Sequence, residues 1–173
     1  MVAVVPASWM PTCEMKHIVM HWTAGGYRAS ENDKEHYHIL IEEDGRLVRG
    51  DFSILDNVST RDDIYAAHTK GFNSQAIGVA VCCMREAVPR PFDGGPCPML
   101  ELQWITMAAV VADLARRYGI ACDEQHILGH GEVQRVHNIP QRGKWDPMVL
   151  PWKRELSPKQ AGDLLRRRVA DLL

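Results

Sequence analysis

The hydrophobic repeat of the chain changes part-way along, and that change limits the folds open to it. At 17–22 the stretch HIVMHW alternates Ile18, Met20 and Trp22 with His17, Val19 and His21, a period of two that fits an extended strand with two distinct faces. YHILIEEDGRLVRGD then reads as two strands about the turn signal Asp44-Gly45, with Tyr37, Ile39 and Ile41 sharing one face of the first. AIGVAVCC reads as a further strand whose Gly78 and Ala80 leave one face nearly bare, so that something packs or binds closely there. Beyond Pro98 the step lengthens to three and four. Leu100, Trp104, Met107, Val111, Leu114 and Tyr118 share a helical face, and Arg116, Arg117 and Gly119 close that helix. Ser157, Pro158 and Gln160 open a terminal helix with Ala161, Leu165, Val169 and Leu172 on one side. Strands first and helices later predict an α/β domain: a central mixed β-sheet flanked by helices.

With 173 residues, 46% of them hydrophobic, the chain is long enough to bury a core without disulfides or a structural metal. No repeat or long linker divides it. The expectation is a single domain over 1–173, with a core at about 16–152 and a C-terminal helix at 157–172. Twenty basic against twenty-two acidic residues give a net charge of -2, which offers no general drive toward nucleic acid or an anionic membrane. Cys13, Cys82, Cys83, Cys97 and Cys122 are odd in number and lack paired zinc spacing, which fits a reduced compartment. The N-terminal MVAVVPASWMPTCEMK is apolar at first but has no basic lead, and Pro6 and Pro11 interrupt it. The expectation is therefore cytoplasmic synthesis without a signal peptide or membrane insertion.

His21 stands where the first strand runs into Thr-Ala-Gly-Gly. One reading is a polar side chain satisfied by its neighbours; the other is a metal ligand at the sheet rim. A second stretch, HILGHGEVQRVHNIPQRGKWDP at 126–147, holds three histidines, and its glycines and prolines predict a loop after Gly129. Catalytic zinc takes three protein ligands and keeps one position open. His21, His130 and Asp146 supply such a set if the long loop folds back over the sheet edge. His126 and His130 have the four-residue step of a helical zinc site, but no glutamate follows His126, which assigns His126 a structural place below the site. Adjacent Cys82 and Cys83 face opposite ways in a strand and read as inert buried thiols. The run Arg166 to Arg168 reads as the solvated side of the last helix.

These stretches together, IVMHWTAGG, HYHILIEEDGRLVRG, AAHTKGFNSQAIGVAV, LGHGEVQ and KWDP, resemble in order the motifs of the type 2 zinc-dependent N-acetylmuramoyl-L-alanine amidases, the family of phage lysozyme-type amidases and peptidoglycan recognition proteins. The resemblance runs from about His17 to Trp152. It implies one Zn2+ held by His21, His130 and Asp146, catalytic roles for Tyr37 and Lys144, and a substrate groove lined by His68 and Asn73. The segment between His130 and Asp146 is longer than in many relatives, so His137 stays open as a substitute ligand. Where the muropeptide-recycling branch typically carries a strand glutamate, this chain has Ala80, which favours the tyrosine-type, lytic, endolysin-like form.

The resemblance thus implies hydrolysis of the amide between N-acetylmuramic acid and L-alanine in peptidoglycan, by an enzyme that reaches the wall if released at lysis; the sequence does not set its oligomeric state, and a monomer is favoured. A binding module that keeps the groove without cutting, a cytoplasmic recycling amidase and a zinc peptidase acting within the stem peptide remain rival readings.

Overall fold

The computed structural model describes residues 4–173; the first three residues of the apolar N-terminal stretch lie outside the described residues. A five-stranded sheet in the order β3-β2-β4-β1-β7 forms the centre. Its strands are β1 (His17–Trp22), β2 (Ile39–Ile41), β3 (Leu47–Arg49), β4 (Ala76–Val81) and β7 (Ile127–Gly129), with a separate two-stranded hairpin of β5 (Val88–Pro89) and β6 (Phe92–Asp93). β1 runs parallel to β4 and β7, β2 parallel to β4, and only β3 is antiparallel, so the sheet is mixed. Among the helices are α1 (Glu31–His36), α2 (Glu101–Tyr118), α3 (His130–His137) and α4 (Pro158–Ala170).

The two faces of β1 do different work. Ile18, Met20 and Trp22 join Ile77, Val79 and Val81 of β4 and Ile39 and Ile41 of β2 in the main core, against Met107, Val111 and Leu114 of α2. Each such aliphatic side chain contributes about 1.5–3 kcal/mol when fully buried. α2 ends on Gly119 in the left-handed conformation, and α4 starts on the reciprocal Ser157–Gln160 cap, as the sequence signals require. On the opposite face lie Val19 and His21 of β1, and Gly78 and Ala80 of β4. The bare patch is filled: a Cβ on Gly78 would sit 2.6 Å from His68 Cγ, and Ala80 packs in a cluster with Tyr37.

Four expectations need correction. Tyr37 does not share a strand face with Ile39 and Ile41. The Ser30–Asp33 capping box starts a short helix, α1, whose C-cap is Tyr37, and the side chain lands with Leu40 on the other face. The segment after Gly129 is not loop at first. Glu132 accepts the Gly129 N–H (3.0 Å), Val133 is buried and Asn138 closes the end in the left-handed conformation, so 130–137 forms α3. Arg166 is not solvated: it is 6% exposed and forks onto Glu132 at 2.7 and 3.0 Å. His126 does not lie below the site. It precedes β7, at the opposite end of the sheet from His130, and bonds Asp123 Oδ1 at 2.6 Å.

No helix among the described residues is long and apolar enough to cross a membrane. Cys82 and Cys83 fall in clusters on opposite faces. Burial pushes the Cys82 thiol up to about 12 and raises Cys83 well above its ordinary value, so neither is a thiolate near neutrality.

Candidate metal centre

The centre sits at the carboxyl ends of β1 and β7, where an open parallel arrangement leaves a crevice. β1 delivers His21 near its end. The turn from β7 into α3 delivers His130 as the first helical residue, and a loop returns Asp146 to the same point. The glycines beside His130 make that return possible. A Cβ on Gly131 would lie 2.7 Å from Met148 Cγ and 3.0 Å from Trp145 Cα, and a Cβ on Gly129 would run into Met148 Sδ, so only bare backbone lets the 145–148 segment lie flat on the start of α3. The Gly131 N–H donating to the Asp146 carbonyl at 2.8 Å pins the contact.

The three donor atoms meet closely. Asp146 Oδ2 lies 3.0 Å from His21 Nδ1 and 3.3 Å from His130 Nδ1, and the donor atoms of all three residues fall within 4.8 Å of one another. Tetrahedral zinc with bonds of 2.0–2.1 Å separates its ligand atoms by about 3.3 Å. All three side chains are buried.

The hydrogen bonds behind the centre decide which way the imidazole protons point. His68 Nε2 faces the Ala76 carbonyl at 3.3 Å, which only accepts, so that nitrogen carries the proton and Nδ1 is the acceptor. His21 Nε2, 3.2 Å from His68 Nδ1, must then donate, leaving His21 Nδ1 bare. Thr69 Oγ1 stands beside both rings, at 2.9 Å from His68 Nδ1 and 3.4 Å from His21 Nε2. Gln141 does the same for His130. Its amide nitrogen donates to the Lys70 carbonyl (2.9 Å), so its oxygen faces His130 Nε2 (2.9 Å) and accepts a hydrogen bond from the N–H there. Two bare Nδ1 lone pairs thus point at one carboxylate oxygen.

Such an arrangement is repulsive unless a positive ion lies between the three atoms, and two neutral imidazoles with one carboxylate are a donor set suited to zinc. Burial lowers His21 to about 4, so the ring is neutral at physiological pH. The residues present fit a divalent cation.

Around the donors the chain leaves space. A cavity of about 150 Å³ is lined by Tyr37, His68, His130, Lys144 and Asp146, and it adjoins one of about 310 Å³ reached past Tyr37, Lys70, Gln141 and Lys144. Tyr37 and Lys144 therefore flank the donor set. Burial raises the Tyr37 phenol above its ordinary value, which keeps it a proton donor. His68 lines both spaces and also braces His21. Asn73 lines neither: its carboxamide oxygen accepts the Thr69 N–H at 2.7 Å and shapes the loop that carries His68. His137 lies at the far end of α3, bonded to the Gln125 carbonyl (3.0 Å) and T-stacked on His17, outside the donor cluster. Thr69, Gln141 and the glycine-backed contact had no sequence signal of their own.

A family model described as N-acetylmuramoyl-L-alanine amidase matches residues 11–148. In structure the chain is similar to the Ph2119 endolysin from Thermus scotoductus MAT2119 bacteriophage Ph2119, with a TM-score of 0.51 at 15% identity, covering 92% of this chain and 88% of that one. It is also similar to a mutant form of PlyL, with a TM-score of 0.52 at 18% identity, covering 96% and 94%. At these identities the likeness carries the fold, a mixed sheet flanked by helices. No curated protein sequence gives a significant match.

Proposed function

The chain belongs to the N-acetylmuramoyl-L-alanine amidase family, and from that premise we propose that it is a zinc-dependent peptidoglycan amidase of the lytic type, with His21, His130 and Asp146 as metal ligands and Tyr37 and Lys144 as catalytic residues. The observation that carries this reading is the convergence of two bare imidazole nitrogens on one buried carboxylate oxygen. Zinc, when bound, supplies Lewis acidity, which polarises a carbonyl and makes water acidic enough to attack near neutrality.

The chain's own residues do the rest. His68 and Gln141 hold the outer ring protons of His21 and His130, so both rings present lone pairs without reorganisation. Lys144 places an ammonium at the rim of the cavity, where the tetrahedral oxygen becomes negative; losing one such donor costs about 3–4 kcal/mol of barrier. Tyr37, kept protonated by burial, donates a hydrogen bond to the substrate carbonyl or the attacking water. Asn73 supports the groove indirectly, through the loop bearing His68.

The lytic assignment rests on Ala80, which packs with Leu40, Cys82 and Tyr37 where recycling relatives carry a glutamate, leaving no carboxylate on that face of β4. A lytic enzyme of this kind, made in the cytoplasm, meets its substrate on release at lysis.

Purified peptidoglycan is the test. The expected products are stem peptides with a free N-terminal L-alanine and unpeptidated glycan, lost with a chelator and regained with zinc. Shortened stems would mark a peptidase, and bound but uncut wall a binding module. His130→Ala should lose both metal and activity; a variant that keeps both removes the proposed centre.

A further inference from the structure

Two basic cavities adjoin the space at the metal centre. The one of about 310 Å³ includes His36, Lys70, Arg142 and Lys144 in its wall. The other, about 400 Å³, lies behind Trp145, between the β5–β6 hairpin and the segment leading to α4, and is lined by Arg90, Arg154 and Lys144 with Phe92, Trp145 and Met148. Neither has an aspartate or glutamate in its lining. The small cavity at the donor atoms shares Tyr37, His68 and Lys144 with the first and Lys144 and Trp145 with the second, so it adjoins both.

The cations behind Trp145 are unneutralised. Arg28, Arg116, Arg135 and Arg166 each pair with carboxylates, whereas Arg90, Arg154 and Lys144 meet none among the described residues. Arg154 is also preset: its Nε donates to the Pro151 carbonyl (3.1 Å) and its guanidinium lies 5.1 Å from the Phe92 ring centre. Such a fork, ordered but unpaired and beside an apolar wall, suits a carboxylate carried on an aliphatic body.

In the substrate of the proposed reaction the glycan is uncharged, because the lactyl carboxylate is consumed in the amide, and the anionic groups sit on the stem peptides. The stem joined to the scissile amide leaves the centre in one direction and fills one cavity. The second basic cavity, beyond Trp145, needs a second source of carboxylate. We propose that the cavity behind Trp145 accepts a second stem peptide, neighbouring the one being cut, so that the enzyme favours wall fragments bearing more than one stem. This rests on the amidase reading.

The test compares a disaccharide bearing one tetrapeptide stem with a glycan-linked tetrasaccharide bearing two, using wild type and the double variant Arg90→Ser/Arg154→Ser, both positions being exposed and outside the catalytic set. The double variant should raise KM for the two-stem substrate about tenfold, with kcat kept and the one-stem KM unchanged, the loss of about 1.4 kcal/mol of charge-assisted binding. An equal rise on both substrates, or none on either, overturns the proposal. A second measurement uses wild type alone: amidating the carboxylates of the uncut stem should abolish the advantage of the two-stem substrate, and an advantage that survives also overturns it. Failure of wild type to cut either substrate would instead remove the amidase reading beneath it.

Discussion

Gln141 touches no reacting atom in the proposed mechanism, yet it decides which nitrogen of His130 is free. Its oxygen accepts the Nε2–H hydrogen bond at 2.9 Å only because its own nitrogen is held by the Lys70 carbonyl. Replacing it by alanine frees the ring to take either tautomer. Gln141→Ala should weaken zinc binding about 10–100-fold, the usual effect of removing such a support, with little change in melting temperature. Competition with a chromogenic chelator measures it, and unchanged affinity would sink the proton assignment. Gly131→Ala acts on the third donor: its methyl meets the backbone of Trp145, which cannot yield, so Asp146 shifts and zinc affinity should fall at least as far. At this scale the sequence was readable where residue type limits the chemistry. His21, His130 and Asp146 are of the residue types that bind metals, and the order of the motifs groups them. Gln141 and Thr69 were invisible because their roles depend on what lies opposite them in space. Tyr37 was set on the wrong face because alternation was carried back across a helix end.

The element that carries His130 is held from outside. α3 is two turns long, too short to stand alone, and its third residue Glu132 is gripped by Arg166 from α4 at 2.7 and 3.0 Å while capping Gly129. Both side chains are buried, so removing one partner strands the other's charge. Arg166→Ala should cost about 3 kcal/mol in urea denaturation, and Arg166→Met with Glu132→Gln should be less damaging than the two single effects summed. Strict additivity would show that the fork is not the tie. This contact explains which elements sequence periodicity reveals. β1, β4, α2 and α4 carry enough alternating or helical positions to announce themselves. α1, β7 and α3 span six, three and eight residues, and tertiary partners stabilise them more than their own pattern does. The glycines of GHGEVQ, Gly129 and Gly131, read as loop; here they are thin places where the 145–148 segment lies close.

For the molecule as a whole, the mixed sheet and its covering helices follow from the change of hydrophobic period, but the strand order β3-β2-β4-β1-β7 does not, since neighbours are chosen by packing between distant segments. That packing buries imidazoles in the neutral form, and stability inherits a pH dependence. His38 ties β2 to its surroundings with both nitrogens used: Nδ1 accepts the Gly78 N–H at 2.9 Å and Nε2 donates to Asn57 Oδ1 at 3.0 Å. Burial lowers it to about 4, against the pull of Asn57 and Gly78. A folded-state value below the unfolded 6.5 means the unfolded chain binds the proton first, so this stability is full above pH 6.5 and drains as pH falls toward 4, by up to about 3 kcal/mol. The urea midpoint of the chelator-treated protein should fall across that window, and His38→Asn should flatten the slope. Zinc at the proposed centre should add a second dependence of the same sign. At a thousand times its Kd it should raise stability by about 4 kcal/mol at pH 7.5, and by progressively less in acid because both rings must be neutral to bind. Denaturation with and without zinc at several pH values separates the two: the His38 slope persists without metal, whereas the zinc increment requires His21 and His130 intact and should vanish in His130→Ala. An increment that survives that substitution would place the ion elsewhere in the molecule.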